Sequence, residues 1–409
     1  MKIVLLNPPG KKLYLRDNYC AKVSKTGYIN PPVDLIVISG WLWNKHKLKA
    51  VDAIVQRLSP PKTMSEILAF KSQAAIVLTS RLSWPEDVIF LRQLKNELPD
   101  LLLIGCGDLF LANWSKEEWQ SIFEAVIFDY TTPNLARFLD EFEKRVEHSF
   151  TYEGIAFKKD NGSWVGKWQA ASGEYRIPIS QHELFPLRLY RHPFLRRLPY
   201  TVVVSDFGCP YRCSFCLSGV LGYKFRPVSD VIEELLYLKS LGVKEIFFGD
   251  QCYGVPRERN EEMMKTMLVN NLKFGWGCYT RIDAVDKELL SLMKRAGCHT
   301  IVFGLESATP EICRQIHKAI DVDRAKEALS WCQKLKIQTV ATFIFGLPGE
   351  SKKECLKTME LAMTLNLDYA SFNLATPRPL KRALGIKSIT QALIIAQNAL
   401  ELLRESFKK

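Results

Sequence analysis

Three cysteines stand close together in one stretch: Cys209, Cys213 and Cys216, within Gly208-Cys209-Pro210-Tyr211-Arg212-Cys213-Ser214-Phe215-Cys216. They follow a short β-type run at 201–204. The C-x3-C-x2-C spacing gathers soft sulfur donors, which hold iron where carboxylates would not. A cubane iron–sulfur cluster takes four ligands, so three cysteines leave one iron with an open position. Such a cluster can bind a substrate or cofactor directly and is placed for chemistry as well as electron transfer. Two plainer arrangements fit the same residues: a zinc ion held by three cysteines and a histidine, and buried thiols that hold no metal. Motif spacing leaves all three open until the surrounding sequence is considered.

With the aromatic Phe215 just ahead of the third cysteine, the stretch resembles the signature of the radical S-adenosylmethionine (SAM) enzymes. The resemblance implies that Cys209, Cys213 and Cys216 hold a [4Fe–4S] cluster whose open iron takes the amino and carboxylate groups of SAM. Reductive cleavage then yields methionine and a 5′-deoxyadenosyl radical that abstracts hydrogen. The elements that would position this loop are legible. Strand-like runs recur at 201–205, 245–248, 274–279, 300–303, 339–345 and 369–374. Helical segments lie at 228–241, 257–269, 287–295, 310–317, 324–334 and 352–364. Six β/α units predict a partial barrel, with functional residues at the carboxyl ends of its strands.

The later strand ends resemble the family in order. Phe248-Gly249-Asp250 follows strand two, and the resemblance places Asp250 beside the SAM ammonium, a charge that needs a partner when partly buried. After strand three, Arg281 has two roles open: a bidentate pair with a carboxylate, or a salt bridge to Asp283 or Asp286. Phe303-Gly304-Leu305-Glu306-Ser307 resembles the Gly-x-Glu-Ser motif, which implies that Glu306 accepts from the ribose hydroxyls of SAM. Ile316-His317-Lys318 is similar to the family's Asn-Lys-like helix end, and His317 is expected to be structural. Gly346-Leu347-Pro348-Gly349-Glu350 closely resembles the family's turn after strand five. Ile344 would press on the adenine there, and Asn373 on strand six would pair its backbone with the adenine edge. Phe215 completes the expected cofactor-binding set. Cys252 and Cys278 read as small packing residues.

Residues 1–147 alternate strand runs (2–6, 49–53, 74–79, 101–105, 125–130) with helical periodicity near 34–46, 64–72, 85–97, 116–123 and 133–147. That alternation predicts a doubly wound, Rossmann-like parallel sheet. Its ligand crevice belongs at the strands' carboxyl ends, formed by 7–10, 79–83 and 105–108. The opening run, with Asn30-Pro31-Pro32 leading into the first helix, resembles the cobalamin-binding domain that precedes many radical SAM barrels. The resemblance implies cobalamin between the two domains and radical C-methylation. The chain departs from it in three places: no Asp-x-His-x-x-Gly motif occurs, Gly105-Cys106-Gly107-Asp108 stands where relatives carry Gly-Gly and a nearby His, and Asp129-Tyr130-Thr131-Thr132-Pro133 replaces a Gly-Glu-Gly-Glu turn. A barrel without cobalamin would instead run a rearrangement, cyclisation, elimination or oxidation. Trp41 and Trp43 read as core and surface members of a helix, and His46 as part of a solvated helix end.

Residues 148–200 read as a hairpin and a proline-punctuated linker carrying Arg188, Arg191, Arg196 and Arg197, residues 201–375 as the barrel, and 376–409 as an extension with a helix over 389–407. The chain has 409 residues and a net charge of +12 from 56 basic and 44 acidic side chains, a mild excess on a large surface. With no basic block, a nucleic-acid partner is not expected. No run is long enough for a transmembrane segment or a signal peptide. Eleven scattered cysteines argue against a disulfide scaffold and for the reducing cytoplasm. The expected partners are a small-molecule or lipid-like substrate and a reducing protein such as flavodoxin or ferredoxin. A tRNA methylthiotransferase would carry more amino-terminal cysteines and an RNA-binding domain. A non-catalytic metal-binding protein would show no SAM cleavage.

Overall fold

The computed structural model describes residues 1–19, 21–111, 116–144, 152–166, 168–318 and 320–375. The segment Thr376–Leu380 and the helix expected over 389–407 lie outside these. The chain divides into two compact units, Met1–Val204 with Lys224–Glu245, and Ser205–Tyr223 with the chain from Ile246 onward.

The first unit is built on β1 (Lys2–Asn7), β2 (Lys47–Asp52), β3 (Ala74–Leu78), β4 (Leu102–Cys106) and β5 (Ala125–Ile127). The near-continuous apolar runs of β1, β3, β4 and β5 suit strands covered on both faces. The five pair in parallel in the order β2-β1-β3-β4-β5. The order reverses between β1 and β3, which makes that gap the sheet's switch point. The expected hairpin forms as β6 (Ile155–Lys158) and β7 (Trp164–Val165), and it joins the same sheet antiparallel to β5. One helix spans Val33–Leu42, starting directly after Pro31-Pro32, where proline geometry pre-sets the first turn. Another spans Trp84–Glu97, with Glu86 and Asp87 in its first turn, favourably placed against the helix dipole. His46 corrects the sequence reading: it is 6% exposed, with Nδ1 3.2 Å from the amino terminus, because the turn ending the first helix folds against β1.

The other sheet has six strands in consecutive order: β8 (Tyr200–Val203), β9 (Glu245–Phe248), β10 (Gly275–Thr280), β11 (Cys298–Glu306), β12 (Gln338–Phe345) and β13 (Tyr369–Leu374). Pairing from β10 through β13 is parallel. All six expected strands are present, and the sheet stays open, as a partial barrel should. Asp286, Asp321 and Ser351 cap the helices Lys287–Arg295, Val322–Lys334 and Lys352–Thr364, the last through a capping box with Glu354. β11 runs three residues past its expected end, and its register with β12 shifts between Gly304 and Glu306. That bulge re-aims the side chain at the strand end. No helix among the described residues is long and apolar enough to cross a membrane.

Candidate active site at the cysteine loop

The cysteine loop leaves a short strand, Asp206–Gly208, and its shape depends on backbone that comes close to itself. Gly208 has φ +80°, and a Cβ there would stand 2.0 Å from the Gly222 carbonyl oxygen. That close approach lets the Cys209 N–H donate to the same carbonyl at 3.0 Å. A Cβ on Gly219 would likewise stand 2.3 Å from the Tyr211 carbonyl. Further along, the Ser214 N–H donates to the Ile316 carbonyl and the Cys216 N–H to the Cys213 carbonyl, each at 3.0 Å. The three thiols emerge free and half-buried, whereas the other seven described cysteines are buried. Among the described residues no three His, Cys, Asp or Glu side chains converge tightly enough to hold a single metal ion. A cluster makes a wider demand, since each iron takes its own thiolate.

The charges around the loop suit thiolates. Arg281 grips Asp283 with both oxygens, Nε to Oδ1 at 2.8 Å and Nη2 to Oδ2 at 2.6 Å. Its remaining Nη1 lies 3.8 Å from Cys213 Sγ, and the guanidinium stacks 4.2 Å from the Tyr211 ring centre. Of the two roles open in the sequence, the salt bridge to Asp283 is the one formed; Asp286 is paired with Arg257. Burial pushes the Cys213 thiol up, and Lys318 and Arg281 pull it back down.

Lys318 is the residue the sequence reading passed over. Its ammonium is bonded to Glu306 Oε1 at 2.6 Å, with both side chains less than a tenth exposed. Burial disfavours that charge, but Glu306 outweighs it and the lysine pKa rises. The ammonium lies 5.8 Å from the Phe215 ring centre. Glu306 itself has φ +65°, a conformation a non-glycine residue holds only when its surroundings enforce it. Gly304 leaves room for the pair, since a Cβ there would meet Glu306 Oε1 and Lys318 Nζ at 2.4 Å each. The signal available in the sequence was position alone: Lys318 follows a helix that ends at Gln315, with His317 exposed in a left-handed turn.

An apolar wall stands beside the charges. Phe215 and Ile344 both pack on the cluster formed by Ile312, Ile316, Leu347 and Ala375. Asn373 sits opposite Ile344 in the β12–β13 register. Glu350 pins the turn after β12 by accepting from the Gly346 and Leu347 N–H groups at 2.6 and 3.2 Å. Asp250 is engaged differently from the expectation. It is 1% exposed and accepts from Ser205 N, Ser205 Oγ and Asp206 N, so it clamps the end of β8 and offers no oxygen without a donor. Cys252 and Cys278 are fully packed, and burial pushes the Cys252 thiol up to about 11.

The strand ends of the first sheet are largely saturated. Arg16, from the loop after β1, reaches Asn7 at 2.7 Å, Ser83 at 2.9 Å and Asp87 at 2.6 Å. Asp87 also takes Thr79 and Ser83, and Asp52 takes Asn7 and Tyr190. Asp34 stands apart: it is wholly buried, and neither carboxyl oxygen has a hydrogen-bond partner.

Residues 204–362 match the model of the radical SAM superfamily. An uncharacterized methyltransferase of Pyrococcus horikoshii is 27% identical over 407 residues, 97% of this chain and 85% of that protein. An anaerobic magnesium-protoporphyrin IX monomethyl ester cyclase of Cereibacter sphaeroides is 32% identical over 179 residues, 42% of this chain and 29% of that protein. Among solved structures, the radical SAM methyltransferase TsrM of Kitasatospora setae, with cobalamin and a [4Fe–4S] cluster bound, is similar at a TM-score of 0.70 and 15% identity, covering 91% of this chain and 72% of that one. This last likeness is one of fold, and it spans both units. The match to the radical SAM superfamily spans the cysteine loop and strands β9 to β12.

Proposed function

We propose that this chain is a cobalamin-linked radical SAM C-methyltransferase acting on a small-molecule or lipid-like substrate, with electrons from a flavodoxin- or ferredoxin-type donor in the reducing cytoplasm. The observation that carries the reading is its alignment, over 97% of its length, with a protein named as a methyltransferase. The fold shared with cobalamin-bound TsrM supports it, although fold by itself does not fix function.

In this proposal Cys209, Cys213 and Cys216 hold the cluster; the half-buried soft donors and the two cations beside them fit that role. Glu306, held by Lys318, presents its second oxygen to the ribose hydroxyls, and Ile344 and Phe215 form the apolar wall for the adenine, with Asn373 at its edge. Arg281 screens Cys213 instead of taking the SAM carboxylate, and Asp250 fixes the backbone from which the loop departs. When bound, the cluster supplies the electron that breaks a sulfonium C–S bond of SAM, and cobalamin supplies the methyl carrier. The protein orients these groups and excludes water. The first unit fits a cofactor rich in hydrogen-bond donors in one respect, the orphaned Asp34 at its strand ends.

A second reading, radical oxidative cyclisation, is favoured by the higher local identity to the magnesium-protoporphyrin ester cyclase. One experiment separates them. The protein is reconstituted anaerobically with iron and sulfide, with and without hydroxocobalamin, desalted, and given SAM and dithionite. Stoichiometric cobalamin retention with formation of both 5′-deoxyadenosine and S-adenosylhomocysteine is the expected result. Formation of 5′-deoxyadenosine without cobalamin retention moves the function to the second class.

A further inference from the structure

We propose that Asp34 is a ligand-recognition residue: its carboxyl group pairs with a primary amide on the rim of a corrinoid held at the carboxyl ends of the first sheet. The inference rests on the cobalamin reading above.

The placement comes first. Asp34 lies in the opening turn of the helix Val33–Leu42, among Asp17 from the loop after β1, Cys106 and Asp108 at the end of β4, and Tyr130 beyond β5. These are the carboxyl ends of three strands, the side on which doubly wound sheets take ligands. The chemistry comes second. Asp34 is 0% exposed, and both oxygens lack a donor. The backbone N–H groups of Asp34 and Asn18 are nearby but outside hydrogen-bonding geometry. A buried polar group in that condition forfeits its hydration with nothing in return.

The rest of the first unit handles buried charge in the opposite way. Arg16 and Asp87 are locked together at zero exposure, and Arg226, Glu234 and His182 form a closed set. Among the described charged side chains of the first unit, Asp34 is set apart by having neither carboxyl oxygen partnered. Among the described residues no three ligating side chains converge on a metal position beside Asp34. Asp17 and Asp108 already accept from the Tyr19, Ala21 and Arg81 N–H groups.

Burial, reinforced by Asp17, pushes the Asp34 carboxyl well above the usual range, which favours its neutral form. A neutral acid offers an O–H donor beside a C=O acceptor, and a primary amide offers the complement, which closes a ring of two hydrogen bonds. Corrinoids carry primary amides around the macrocycle. Beyond the Arg16 anchor, the loop next to Asp34 makes two long contacts at the strand ends, Asn18 Nδ2 to the Phe128 carbonyl at 3.2 Å and Tyr19 to Tyr130 at 3.4 Å. Those are contacts an incoming rim of amides can replace.

The test uses full-length protein with Asp34→Leu and Asp34→Asn. Hydroxocobalamin is titrated by equilibrium dialysis, and thermal unfolding is followed without cobalamin. Asp34→Leu should weaken binding about tenfold or more. Asp34→Asn, which keeps a donor beside an acceptor, should stay within a few-fold of the parent. Without cobalamin, Asp34→Leu should melt at or above the parent, because an unpartnered carboxyl has left the core. Leu binding as tightly as the parent overturns the proposal, and so does Leu melting well below it, which marks Asp34 as structural. A parent protein that binds no hydroxocobalamin defeats the cofactor reading itself, and the inference with it.

Discussion

The two sheets of this chain end in opposite ways. At the carboxyl ends of β1 to β4 the polar groups are bound to one another: Arg16 to Asn7, Ser83 and Asp87, and Asp52 to Asn7 and Tyr190. At the carboxyl ends of β8 to β13 the chemistry is left open, with three free thiols half-buried beside two cations and an apolar wall. The same parallel α/β logic builds both ends. Ligand positions follow from topology, but a ligand is indicated only where side chains lack partners. By that measure the barrel end shows its site at the three thiols, and among the described residues around the first sheet's strand ends Asp34 stands out with both carboxyl oxygens unpartnered.

The difference can be broken from either side. The largest effect belongs to the open end: Cys213→Ala should lose the four-iron absorption band and abolish 5′-deoxyadenosine formation, measured after anaerobic reconstitution. At the closed end, Arg16→Met removes the cation paired with buried Asp87 and leaves it only the Thr79 and Ser83 hydroxyls. It should cost about 3–5 kcal/mol by urea unfolding, the usual effect of breaking a buried pair.

Glu234 belongs to another closed set and carries a pH signature. Burial favours its neutral form, but Arg226 and His182 outweigh it and hold its pKa at about 2, against 4.5 unperturbed. A carboxylate depressed in the folded state stabilises above its unfolded pKa and loses that contribution as pH falls through the folded value. The parent should therefore lose stability between pH 4.5 and pH 2. Glu234→Gln should be about 3 kcal/mol less stable at neutral pH and flatter across that acid window. The smallest effect returns to the barrel. Lys318→Met should weaken SAM binding about tenfold, the loss of one charge-assisted hydrogen bond that orients Glu306, and Lys318→Arg should retain most of the affinity in equilibrium dialysis.

The fold was legible because hydrophobic runs of strand and helix length alternate cleanly, so every barrel strand fell within a few residues of its observed position. The three cysteines were legible as a group because their close spacing places them in one loop. Side-chain commitments were not. Nothing in Phe248-Gly249-Asp250 tells that Asp250 turns back to clamp Ser205 and Asp206, since those residues lie more than forty positions earlier. Arg281 had two partners open to it, and local geometry gave it to Asp283. Lys318 was hidden because its partner Glu306 is set by a strand bulge and a positive φ that the sequence does not announce. His46 was misread because a polar neighbourhood in sequence does not reveal what folds over it.

The central claim is that the half-open cysteine loop is a site of reductive SAM cleavage. The measurement that tests it most directly is anaerobic incubation of protein carrying a verified four-iron cluster with SAM and dithionite, with nucleosides resolved by chromatography. Reductant-dependent 5′-deoxyadenosine, absent from Cys213→Ala, is the predicted result. A fully loaded cluster that binds SAM and yields no 5′-deoxyadenosine would contradict the account.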